Sequence, residues 1–187
     1  LGANDGLTQS NTAFFEFSRN WKGVLIEPSL KGYNLCKINR PQSISVNCAC
    51  VSNDYTNSKI KGNFVNNFLM GSVDGKRQFG YDNNINEVSA RTLENILDST
   101  ISINQEIDLL SLDVEGYELN VLQGLNLNKY KPHYLLIEIY TNDLLNIINY
   151  LENYNYSLLE NITNYNKIDH PIWDGTHNDY LFKHNQY

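Results

Sequence analysis

Leu110-Ser111-Leu112-Asp113-Val114-Glu115-Gly116 carries two carboxylates out of an apolar run and into a glycine turn. Carboxylates so placed can coordinate a hard cation, hold a cationic group or accept a proton. Glu138 follows the same pattern at the end of Tyr134-Leu135-Leu136-Ile137. Neighbouring strand ends would bring Asp113 and Glu138 to one crevice, where they could share Mg²⁺ or Ca²⁺. Glu115 is a candidate in the same crevice, whereas Glu118 reads as a helix-charging acid. A second constellation opens the chain. Gly2-Ala3-Asn4-Asp5-Gly6 is a glycine-rich turn, and about 20 residues later Val24-Leu25-Ile26 ends on Glu27-Pro28. Glycines allow a backbone to approach a ligand closely. A strand-end Glu can accept hydrogen bonds from two ribose hydroxyls. Together they describe a nucleoside-cofactor pocket.

These residues need strands to carry them and helices to separate the strands. Leu1 reads as the end of a strand whose beginning is not in the sequence. A helix is expected over about 8–20, with Ala13, Phe14 and Phe17 on its apolar face and Thr8 or Ser10 as its cap. A strand follows at 23–27 and a helix at 30–39, ended by Arg40-Pro41. Residues 43–51 read as one strand, on which Cys48 and Cys50 face the same side. The polar, Asn- and Gly-rich stretch 53–87 suggests an antiparallel hairpin or a lid that shapes the acceptor pocket. A helix at 89–97, a buried strand at 107–113, a helix from 118 to 124, a strand at 134–139 and a helix at 142–154 complete the alternation. Two more strands are expected between Tyr156 and Phe182, flanking a loop with His177 and Asp179. Strand and helix in alternation predict one α/β domain over 1–187, a doubly wound and mostly parallel Rossmann-like sheet.

Composition narrows the partners. With 187 residues the chain is long enough to bury a core. A net charge of −7 argues against nucleic acid or an anionic membrane as the main partner. No apolar run is long enough to span a bilayer, which suggests the cytoplasm. Three cysteines do not suggest a disulfide framework, and without a second pair or a nearby His they read as buried thiols. Asn155-Tyr156-Ser157 and Asn161-Ile162-Thr163 match glycosylation acceptors, as chance provides in so Asn-rich a chain.

The glycine turn, Leu25-Ile26-Glu27-Pro28, Asp113-Val114-Glu115-Gly116-Tyr117-Glu118 with Val121-Leu122-Gln123-Gly124, and Trp173-Asp174-Gly175-Thr176-His177-Asn178-Asp179-Tyr180 together resemble the FkbM family of S-adenosylmethionine-dependent methyltransferases. The resemblance implies a class I methyltransferase fold and O-methylation of a small-molecule hydroxyl on a sugar, glycan or polyketide. It implies that Gly2, Ala3, Asn4 and Gly6 lie under the amino-acid part of the cofactor, and that Glu27 and Pro28 adjoin its ribose. Asn47, Cys48 and Ala49 would flank the adenine, with Asp113 facing the methionine end. It also raises His177 to a candidate base, beside Asp113, Glu115 and Glu138. The acidic residue expected just before the glycine turn would lie ahead of Leu1. Two other readings share the pocket: a nicotinamide-dependent oxidoreductase, disfavoured by the missing Gly-x-Gly-x-x-Gly spacing, and a module that binds S-adenosylmethionine without catalysis.

Overall fold

The structure, a computed structural model, describes residues 1–64, 73, 85–102, 104–173 and 175–187. Helix α1 (Ala13–Arg19) precedes strand β1 (Val24–Ile26), and α2 (Leu30–Asn39) crosses to β2 (Ile44–Val46), which pairs with β1 in parallel. Strands β3 (Ala49–Val51), β4 (Lys59–Gly62) and β5 (Asn86–Thr92) form a second sheet, with β3 parallel and β4 antiparallel to β5. After α3 (Leu93–Thr100) come β6 (Leu109–Leu112), α4 (Glu118–Gln123), β7 (Tyr134–Tyr140), α5 (Leu144–Glu152), β8 (Tyr156–Asn161) and β9 (His177–His184). Their sheet has the order β6-β7-β9-β8, parallel between β6 and β7 and antiparallel elsewhere. The Leu1 ammonium donates to the Ser111 carbonyl at 2.7 Å and the Ala3 N–H to the Ile26 carbonyl at 3.2 Å. Residues 1–3 therefore run between β1 and β6.

The α/β character stands, but the expected doubly wound, mostly parallel sheet does not emerge as one sheet. The described strands form small mixed sheets. Parallel pairing requires a crossover, and among the described residues β8 and β9 have no helix between them. Two boundaries move for tertiary reasons. The expected strand 43–51 breaks at Asn47, whose side chain donates to the carbonyls of Glu27 and Pro28 at 2.8 and 2.9 Å. Ser89–Thr92, expected as the start of a helix, are strand, because β5 is gripped on both sides by β3 and β4. In the 53–87 stretch the β4–β5 pairing supplies the expected antiparallel partners. Residues 65–72 and 74–84, where a lid was expected, lie outside the described residues, as does Asp174.

Helix α1 corrects a periodicity argument. Phe14 and Phe17 are both 58 % exposed, and the residue that α1 buries is Glu16. Its carboxylate meets the buried Arg40 side chain, whose guanidinium also donates to the Gly6 carbonyl at 3.1 Å. An ion pair thus ties α1 to the end of α2. Neither expected cap holds: the N-cap of α1 is Thr12, whose side chain makes no capping bond, while Ser10 accepts from the Ala13 N–H at 3.2 Å from two residues ahead of it and Thr8 bonds to Asp5. The principal core lies around β6, β7 and their helices, with Leu135, Ile137, Ile139, Ile147 and Leu151 fully buried.

Candidate cofactor and active site

Glu27 closes β1 and faces back onto the first turn. One carboxylate oxygen accepts from the Asn4 N–H and the other from the Ser29 N–H, both at 2.8 Å. Each oxygen keeps a second lone pair. Ser29 caps α2 by accepting from the Gly32 N–H at 3.3 Å. Burial pushes the Glu27 carboxyl up to about 7, against the pull of its two N–H donors. Gly32 is a site residue that the sequence reading missed. A Cβ there would lie 2.7 Å from the Asn4 carbonyl oxygen and 2.9 Å from the Glu27 Cγ. Its signal was available: a glycine in the first turn of the helix that follows the strand-end Glu.

The glycine turn divides in two. Gly2 has φ +67°, and a Cβ there would fall 1.8 Å from the Asp113 carbonyl oxygen, so its bareness lets the turn touch the end of β6. Gly2, Asn4, Glu27, Pro28, Cys48, Ala49 and Asp113 all line one cavity. Ile26, Leu35, Phe64 and Val73 add apolar wall, and Lys31 a cation. Ala3 and Gly6 do not line it. The missing Cβ of Gly6 faces the Arg40 Cγ at 3.0 Å and Cys36, so that glycine serves the buried ion pair and not a ligand. Asn47 likewise spends its amide on backbone carbonyls rather than on the cavity.

Register explains the acidic cluster. Leu112 pairs with Ile137, so the next residues, Asp113 and Glu138, stand opposite one another; Glu138 in turn pairs with Asp179. Leu135, Ile137 and Ile139 are buried on the core face of β7, which puts Glu138 and Tyr140 on the other face. Asp113, Glu115 and Glu138 each offer a carboxylate oxygen, and the three atoms lie within 4.8 Å of one another. Burial, then Glu115, Glu118 and Asp179 in that order, push Asp113 up to about 7. Burial also raises Asp179. Asp179 and His177 were expected in a loop; both lie on β9, where two-residue alternation aims them at one face. The His177 Nε2 stands 3.6 Å from a Glu138 carboxylate oxygen, and its Nδ1 meets the Thr176 hydroxyl at 2.8 Å. The structure therefore gathers Asp113, Glu115, Glu138 and His177, and adds Asp179 and Tyr140.

The turn that carries these groups is held by side chains. Glu115 has φ +59° and Gly116 φ +92°. A left-handed non-glycine residue costs about 1–2 kcal/mol. Two contacts hold it: Glu118 accepts from the N–H groups of Val114 and Gly116, each at 3.1 Å, and the Tyr140 hydroxyl donates to Glu115 at 2.9 Å. Glu118 stands in the first turn of α4, where the sequence reading put a helix-charging acid, and its carboxylate also holds the turn before the helix.

A family model described as "Methyltransferase FkbM domain" matches residues 1–158. No curated protein and no solved structure matches the chain. Among the described residues no helix is long and apolar enough to cross a membrane.

Proposed function

Because the chain belongs to the FkbM methyltransferase family, we propose that it moves a methyl group from S-adenosylmethionine to a hydroxyl of a small-molecule acceptor, such as a sugar, glycan or polyketide. The observation that carries this reading is the continuity of one cavity from Glu27 to Asp113. The donor set fits the cofactor. Glu27 offers two oxygens with a lone pair each toward the vicinal hydroxyls of a ribose. Ile26, Pro28, Cys48 and Ala49 give an apolar wall for a purine. Asp113 and Glu115 supply negative charge for a cationic end. When bound, S-adenosylmethionine supplies an electrophilic sulfonium methyl.

The chain's own groups do the rest. Asp113, pushed up to about 7, is suited to take a proton from an acceptor hydroxyl near neutrality. His177 beside Glu138 is the alternative base. The mutual approach of Asp113, Glu115 and Glu138 favours a second version, in which Mg²⁺ or Mn²⁺ on these carboxylates lowers the hydroxyl pKa. Manganese titration followed by paramagnetic resonance tests it: Asp113→Asn and Glu138→Gln should each abolish binding, and full turnover in excess chelator would exclude the metal.

Calorimetry of the whole chain against S-adenosylhomocysteine, S-adenosylmethionine and NAD decides the cofactor. Binding of the first two and not of NAD is expected. NAD binding alone would turn the reading to an oxidoreductase. Nucleoside binding with no turnover across hydroxyl acceptors would make this a binding module.

A further inference from the structure

Helix α1 presents to solvent the stripe that its spacing assigned to the core. Phe14, Phe17 and Trp21 recur at the three- and four-residue spacing of one helix face, the last just past the helix end, and all three are exposed. A single exposed hydrophobic needs no explanation, but a stripe of rings does. The rings are also held in place. Trp21 stacks on the half-buried Phe15 with centroids 4.6 Å apart, and Phe14 meets Phe15 edge-on at 5.7 Å. Burying Glu16 with Arg40 while two phenylalanines stay in water forgoes the larger hydrophobic gain. That cost points to a partner for the outer face.

Charge says what kind of partner. Residues 1–40 contain five Lys and Arg against three Asp and Glu, whereas the whole chain has 14 against 21. Glu16 and Glu27 are buried, and the Asp5 carboxylate is engaged by the N–H groups of Leu7 and Thr8 at 2.8 and 2.7 Å. Arg40 is buried too, so the outward charge of this region is Arg19, Lys22, Lys31 and Lys37 against Asp5 alone. Two of these cations lie beside rings. The Arg19 guanidinium is 6.0 Å from the Phe14 centroid, and the Lys37 ammonium is 5.4 Å from that of Tyr33. Exposed rings among cations match the boundary between anionic headgroups and acyl chains. The net charge of −7 then belongs to the rest of the molecule, which the same surface repels, so the field itself selects the face that docks.

We propose that the face of α1 and α2 carrying Phe14, Phe17 and Trp21 among Arg19, Lys22 and Lys37 docks the protein on an anionic lipid surface. The docking does not rest on the methyl-transfer reading, since none of these six residues lines the cofactor cavity.

Co-sedimentation of the full chain with vesicles of phosphatidylcholine containing about one third phosphatidylglycerol tests this, with pure phosphatidylcholine vesicles for comparison. Binding to the anionic vesicles is expected, at least about tenfold weaker on the neutral ones and falling as salt is raised. Phe14→Ser with Phe17→Ser, and separately Arg19→Gln with Lys22→Gln, should each weaken it at least about tenfold. Ile168→Ser with Ile172→Ser, which removes two exposed isoleucines between β8 and β9, should change it by less than about twofold. No binding, equal binding to both kinds of vesicle, or an equal loss in the isoleucine variant overturns the proposal. Self-association that depends on Phe14 and Phe17, without vesicle binding, overturns it in favour of a contact between two copies of the chain. Near-ultraviolet dichroism checks that each variant is folded. Should the phenylalanine variant fail to fold, the Arg19 and Lys22 variant and the salt dependence decide.

Discussion

Glu27 has two tasks that its position makes inseparable. It holds the Asn4 and Ser29 N–H groups, and it lines the cavity with the lone pairs left over. Glu27→Ala should therefore weaken S-adenosylhomocysteine binding by about 1.5–3 kcal/mol, the worth of hydrogen bonds to a charged group. It should also lower the melting temperature, because two N–H groups lose their acceptor. Glu27→Gln keeps an amide oxygen and the side-chain volume, so it should retain more of the stability than of the affinity. Calorimetry and thermal denaturation on both variants separate the two tasks. Equal affinity in all three proteins with the fold intact would remove Glu27 from the ligand site. This residue was legible in the sequence, since a strand-end acid after a glycine turn needs no tertiary information. Its grip on Asn4 was not, because that depends on how the turn folds back.

At the level of elements, the glycine turn makes the sharpest distinction. Gly6 has φ +84° and faces Arg40 and Cys36. Gly6→Val should loosen the contact between α1 and α2 and cost about 1–3 kcal/mol of stability. It should not plug the cavity: nucleoside affinity of the folded fraction should stay within a few-fold. Gly2→Ala drives a Cβ into the Asp113 carbonyl, so it should damage stability and binding together. Urea melts with parallel calorimetry read both, and a folded Gly6→Val that cannot bind would return Gly6 to the ligand site. The same logic governs Glu118. Glu118→Ala strands the N–H groups of Val114 and Gly116, at about 1–3 kcal/mol. Elements whose limits are set locally were legible. Helix α2 spans Leu30–Asn39 as read, between its Ser29 cap and Arg40-Pro41. Where a neighbour sets the limit, the sequence misled: at Asn47, at Ser89–Thr92, and on α1, where the ion pair of Glu16 with Arg40 outweighs two phenylalanines. Asp179 joined the site only through its register with Glu138, which no local pattern encodes.

Across the whole molecule, buried acids set stability and ligand binding against each other. Burial lifts Glu27 from 4.5 and Asp113 from 3.8, both to about 7, and raises Glu118 and Asp179 as well. Between the unfolded and folded values, the native chain holds protons that the unfolded chain has released. Stability must therefore fall as pH rises through that window, and it is greatest toward its acid end. The melting temperature should drop steadily from about pH 5 to about pH 7.5, and Glu27→Gln with Asp113→Asn should flatten the slope. Ligand binding runs the other way. An ionised Asp113 attracts a sulfonium, and the protonated acid does not. S-adenosylmethionine affinity should accordingly rise through about pH 7, and rise more than that of the uncharged thioether S-adenosylhomocysteine. The difference between the two ligands is the diagnostic quantity, because protein-wide effects of pH cancel in it. Asp113→Asn should abolish the pH dependence of that difference and leave the one due to Glu27, which both ligands share. If the two affinities keep a constant ratio across the window in the unmutated chain, Asp113 does not face the sulfonium. A cation bound by Asp113, Glu115 and Glu138 would shift the same curve toward lower pH, because it would ionise them early. Repeating the titration with and without Mn²⁺ thus reads metal and sulfonium from one experiment.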